Sequence, residues 1–91
     1  MESPLLTMKD NRKLAKDTLN KATKTKYYGI VDEAKIFKED QKILHARFID
    51  GLSITAISEK YGYSVEKINK VIMKCYDKIY NVITGGLINA N

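Results

Sequence analysis

The chain has 91 residues, with 16 Lys and Arg against 11 Asp and Glu, a net charge of +5, one cysteine and one histidine. That length makes one domain with a small core, and the lone Cys75 excludes an intrachain disulfide and suits a reducing compartment. No apolar run approaches the roughly 18 residues of a membrane span and the N-terminus lacks a signal-peptide hydrophobic region, so a cytoplasmic protein without membrane contact is expected.

One proline and five glycines leave little room for turn-rich β structure, and helical periodicity runs through most of the chain, so the expected fold is all-α. Residues 1–28 hold seven basic residues against three acids, residues 29–50 four against five, and residues 51–91 five against three. The positive charge therefore gathers in the N-terminal segment and again in the last third, a distribution that suits a polyanionic partner.

Residues 1–8 show no hydrophobic period; Leu5, Leu6 and Met8 either dock on the core or belong to a loose terminus. Residues 9–25 read as a shallow amphipathic helix, with Leu14, Ala15, Leu19 and Ala22 opposite a lysine-rich face. That face suits a solvated surface, a basic arm along DNA phosphates, or a dimerisation helix. Residues 26–37 place Tyr27, Ile30, Val31, Ala34 and Phe37 at helical spacing and read as a core helix, although Gly29 costs about 1 kcal/mol of helix propensity. Residues 1–37 together form a basic N-terminal helical segment.

Residues 38–83 form the organising unit, with residues 84–91 as a tail. The first helix, residues 39–50, starts with Glu39 and Asp40, which favour its N-terminus, turns Ile43, Leu44 and Phe48 inward, and ends at Gly51. His45 has no second metal-ligating side chain near it in sequence, so no metal site is expected. Ser53 caps the next helix, which buries Ile54 and Ile57 and keeps Ala56 small for close approach. Gly62 then permits a tight turn, Tyr63 plugs it, and Ser64 caps the last and longest helix. Hydrophobic, small and glycine positions thus fall where a helix-turn-helix requires them.

In the last helix, residues 64–83, Val65, Ile68, Ile72, Cys75, Ile79 and Val82 make a heptad stripe, with Met73, Tyr76, Tyr80, Ile83 and Leu87 beside it. This apolar face is wider than one partner helix needs. Either residues 26–50 cover it, or Tyr76, Tyr80 and Ile83 form a homodimer interface. Gly85-Gly86 ends the helix.

A helix in the major groove presents its first turns to base edges. Val65, Glu66, Asn69, Lys70 and Met73 are the expected base-contacting residues: Asn pairs with adenine, Glu accepts from cytosine, Lys donates to guanine and Met touches a thymine methyl. Ser53, Thr55, Lys60, Ser64, Lys67 and Lys74 are the expected phosphate contacts.

On the segments EDQKILHARFIDG, LSITAISEKYGYS and VEKINKVIMKCYDKI, residues 38–83 resemble region 4 of bacterial sigma factors and the related small phage-type transcriptional regulators. The resemblance covers about half of the chain. It implies a helix-turn-helix fold with a long C-terminal recognition helix, and contacts to promoter DNA from Val65, Glu66 and Asn69. Glu66 keeps the acidic character common at its position, whereas Val65 and Asn69 replace the usual arginines. A region that melts promoter DNA has no room here, so a stand-alone regulator is expected rather than a complete sigma factor.

The expected function is therefore a sequence-specific, double-stranded DNA-binding transcription regulator of phage or mobile-element type, acting as a homodimer. A second reading is an adaptor that docks on RNA polymerase or a sigma factor without reading bases. A third is a DNA-recognition subunit in phage packaging, replication or recombination. With no nucleophile–base set, metal cluster or Gly-rich phosphate loop in the sequence, neither an enzyme nor a cofactor is expected.

Overall fold

The computed structural model describes residues 8–84 as five helices, with no strand among them: α1 (Met8–Lys21), α2 (Lys24–Glu33), α3 (Lys38–Phe48), α4 (Ile54–Tyr61) and α5 (Val65–Ile83). The readings made for residues 1–7, for the side chain of Met8, for Gly85-Gly86 and for Leu87 lie outside what is described.

The first helix stops four residues earlier than its lysine-rich pattern suggests. Thr23 adopts an extended backbone, and its side chain accepts a hydrogen bond from the Lys26 amide at 3.2 Å. The β-branched hydroxyl residue thus caps a new helix instead of continuing the old one. α2 then ends at Glu33, and Lys35 takes a left-handed conformation with φ 54°. The chain reverses there, which buries Ile36 and turns Phe37 outward, 66% exposed, with the Lys78 ammonium 4.4 Å from its ring centre. Phe37 is therefore not a core residue of a continuous helix. Gln41 steadies the start of α3 by donating from its side chain to the Ile36 carbonyl at 2.8 Å.

The α3–α4 and α4–α5 junctions follow the expected residues closely. Gly51 and Gly62 are both left-handed, with φ 72° and 73°. Arg47 donates to the Leu52 carbonyl at 3.0 Å, tying α3 to the loop that leaves it. Ser53 and Ser64 cap α4 and α5 by accepting from the amides of Ala56 and Lys67. The turn Gly62–Ser64 is closed by the Ser58 hydroxyl donating to the Tyr63 carbonyl.

α5 is the central post, packing against each of the other four helices. Ile57, Ile68, Ile72, Cys75 and Ile79 are buried to 2% exposure or less, together with Leu44 and Tyr27. Complete burial of one such aliphatic side chain stabilises the fold by roughly 1.5–3 kcal/mol. α1 lies along α5 and seals the broad apolar face with Ala15 and Leu19. Leu14, expected on the apolar stripe of this helix, is instead 39% exposed, because the buried edge of α1 runs through Ala15 and Leu19. Arg12 clamps the two helices together through paired bonds to Asp77 at 3.0 and 3.1 Å.

This arrangement corrects the expected dimer contact at Tyr76. Its side chain is 4% exposed, packs edge-on against Phe48, and has its phenol pushed up to about 12 by burial. Tyr80 and Ile83 are half-buried, with Ile83 packed against the same core. The protein's own α1 takes the surplus apolar face that the heptad pattern leaves after residues 26–50.

Candidate nucleic-acid interface

The first two turns of α5 are almost free of tertiary cover. Val65, Glu66, Lys67, Asn69 and Lys70 are exposed, and among residues 65–70 only Ile68 points into the core. A shallow groove of about 420 Å³ follows this face between Ser64, Glu66, Lys70 and Lys74. Amide, carboxylate and ammonium groups thus share one outward surface on a rigid helix. That is the set needed to address hydrogen-bond donors and acceptors on base edges.

Of the five expected base contacts, Val65, Glu66, Asn69 and Lys70 are exposed, and the spacing of Glu66, Asn69 and Lys70 puts those three on one face of the helix; Val65, also expected on the inward heptad stripe, is instead 43% exposed. Met73 does not stand free with them. It is half-buried against the core, at the border between α5 and α1, where Arg12, Lys13 and Lys16 gather beside it.

The expected phosphate contacts divide in the same way. Ser53, Thr55, Lys60 and Ser64 are exposed. The two serine oxygens are used as acceptors by the helix caps, which leaves each O–H available as a donor. The first turn of a helix also carries amides without helical partners, which suit an anion. Lys67 lies over the Tyr63 ring, 4.7 Å from its centre, so Tyr63 is a half-open platform at 37% exposure rather than a buried plug. Lys74 is the main departure. Its ammonium sits 3.2 Å from a carboxylate oxygen of Asp40, itself mostly buried, so its charge is partly neutralised within the protein.

Tyr27, Tyr28, His45 and Phe48 form an aromatic cluster that meets α5 further along, where Phe48 packs on Tyr76. The Tyr27 hydroxyl and His45 Nδ1 are 2.7 Å apart. Burial raises the Tyr27 pKa and lowers that of His45, so the phenol keeps its proton and the imidazole is held toward its neutral form. Burial likewise pushes the Cys75 thiol up to about 12, which leaves it protonated and chemically quiet. Among the described residues, no three His, Cys, Asp or Glu side chains converge as a metal site, and no helix is long and apolar enough to cross a membrane.

Sequence reasoning did not single out Lys13, Lys16, Arg12 or Asp40 as neighbours of the exposed face. The lysine-rich pattern of residues 9–25 was the available signal for the first two. The pairings Arg12–Asp77 and Lys74–Asp40 span 65 and 34 residues and leave no local trace in the sequence. Comparison of the chain with protein-family models, curated proteins and solved structures finds no match.

Proposed function

We propose that this protein is a sequence-specific, double-stranded DNA-binding transcription regulator that inserts the start of α5 into the major groove as the second helix of a helix-turn-helix. The observation that carries this reading is the exposed set Glu66, Asn69 and Lys70 on one face of a rigid helix, directly after the left-handed turn at Gly62. Asn69 and Lys70 supply base discrimination worth roughly 1–3 kcal/mol per good contact. Ser53, Thr55, Lys60, Ser64 and Lys67 hold the backbone. Lys74, engaged by Asp40, contributes less than its charge suggests.

Selection from a randomised duplex pool with the purified full chain tests the proposal. Enrichment of a defined motif is the expected result, and a bound pool as random as the input contradicts it. If the regulator dimerises, the contact uses the remaining surface of Tyr80 and Ile83. Sedimentation should then give a dimer that Tyr80→Glu dissociates, and a monomeric wild type removes that element.

A second reading is favoured by a groove of about 300 Å³ between α3 and α5, where the aromatic lips Phe37 and Tyr63 flank Ile43 and Val71. Such a surface suits an adaptor docked on RNA polymerase or a sigma factor. In that case polymerase capture survives Asn69→Ala and Lys70→Ala, and duplex DNA binds only weakly at physiological salt.

A further inference from the structure

A groove of about 480 Å³ runs between α1 and α5, lined by Asp10, Arg12, Lys13, Lys16, Met73 and Tyr76. Met73 belongs to the edge of α5 that continues one turn beyond Asn69, so this groove opens beside the face proposed to read bases. Lys13 and Lys16 are exposed and lie one turn apart on α1, toward that edge. The paired Arg12–Asp77 bonds fix the register of α1 against α5 and so set where these ammonium groups stand.

The opposite flank of α5 carries both signs. There Glu39, Asp40, Lys67 and Lys74 line the neighbouring groove, and Asp40 already engages Lys74. The charge beside the reading face is therefore uneven, in basic excess toward α1 and balanced toward α3.

Packing distances say what this asymmetry does. An α-helix with side chains is about 10–12 Å across and the major groove about 12 Å wide, so one helix fills it. A second helix packed about 8–10 Å away cannot enter and comes to lie over the phosphate wall. We propose that α1 is that backbone-gripping wall: Lys13 and Lys16 engage phosphates of one strand, while the first turns of α5 enter the groove. This assignment rests on the reading of α5 given above and adds to it a partner surface on α1.

The test measures binding of the full chain to a random-sequence duplex across a range of potassium chloride concentrations. It compares Lys13→Ala/Lys16→Ala with Lys24→Ala/Lys42→Ala, an equal loss of charge at exposed positions that line neither groove beside α5. Alanine is a strong helix former, so neither pair weakens its helix. Loss of two phosphate contacts should flatten the slope of log K against log salt by about 1.8. With affinity at about 1 M salt unchanged, that slope corresponds to roughly 30-fold weaker binding near ~0.15 M. The control pair should keep the wild-type slope, and the motif preferred by the wild type should persist in both. Equal slope changes in the two pairs, or an unchanged slope in the first, overturn the α1 assignment while leaving α5 in place. Failure of the wild type to bind any duplex instead overturns the reading of α5 and α1 with it.

Discussion

The two halves of α5 have the same helical backbone and opposite surroundings. From Val65 to Lys70 only Ile68 is buried, and the rest faces solvent. From Val71 to Ile79 the buried positions are Val71, Ile72, Cys75, Tyr76 and Ile79, and here α1 is clamped on through Arg12 and Asp77 and α3 packs Phe48 on Tyr76. The contrast separates two tasks in one element. The second half anchors the helix rigidly, and the first half projects polar groups whose geometry that anchoring fixes. A reading helix needs both, because side chains on a frayed helix would lose conformational entropy on binding.

The largest effect separating the halves is in stability. Ile79→Ala removes a side chain with 0% exposure and should cost about 2–5 kcal/mol, read as a lower urea midpoint. Lys70→Ala, in the exposed half, should stay within about 0.5 kcal/mol of wild type. Comparable losses in the two variants would break the division.

The turn that starts the exposed half gives a smaller effect. A methyl group added at Gly62 or Gly29 meets no atom within 4 Å, so backbone conformation alone decides. Gly62→Ala forces a left-handed alanine at φ 73° and should destabilise by about 1–2 kcal/mol. Gly29→Ala, inside α2, should stabilise by roughly 0.4–1 kcal/mol. Thermal melts of the two variants should therefore move in opposite directions; shifts of the same sign would contradict the assignment of the turn.

The smallest effect concerns the packed side. Burial holds the His45 pKa in the folded protein below its unfolded value, which lies near ~6.5. Above that value both states are neutral and the contribution to stability is intact. As pH falls from about 6.5 through the lower folded pKa, the unfolded state binds the proton first and stability declines. Between about pH 7.5 and about pH 5 the wild type should lose melting temperature more steeply than His45→Gln. Parallel losses would show that His45 is not the titrating group.

Much of this division was legible in the sequence. Ser53, Gly51, Gly62 and Ser64 punctuate the last three helices by local chemistry, so their boundaries and the exposed polar turn of α5 could be read directly. Thr23 carried the same kind of capping signal, but the lysine pattern running across it obscured the break between α1 and α2. Leu14, Phe37 and Tyr63 sit in surroundings that their spacing does not predict, for another reason. Periodicity assigns a side chain to a face of its own helix, whereas burial depends on which distant helix covers that face. Here the left-handed Lys35, just ahead of α3, releases Phe37 from the face that its spacing assigns. In the candidate site the exposed set Glu66, Asn69 and Lys70 was readable, whereas the pairing of Lys74 with Asp40 required the tertiary fold.

The central claim is that the first half of α5 discriminates bases. Its most direct test repeats the selection from a randomised duplex pool with Asn69→Ala/Lys70→Ala beside the wild type, after melts show that both are folded. The predicted result is a variant that still binds duplex DNA but enriches no motif at the positions the wild type specifies. Recovery of the wild-type motif by the double variant would contradict the claim and move base reading to another surface.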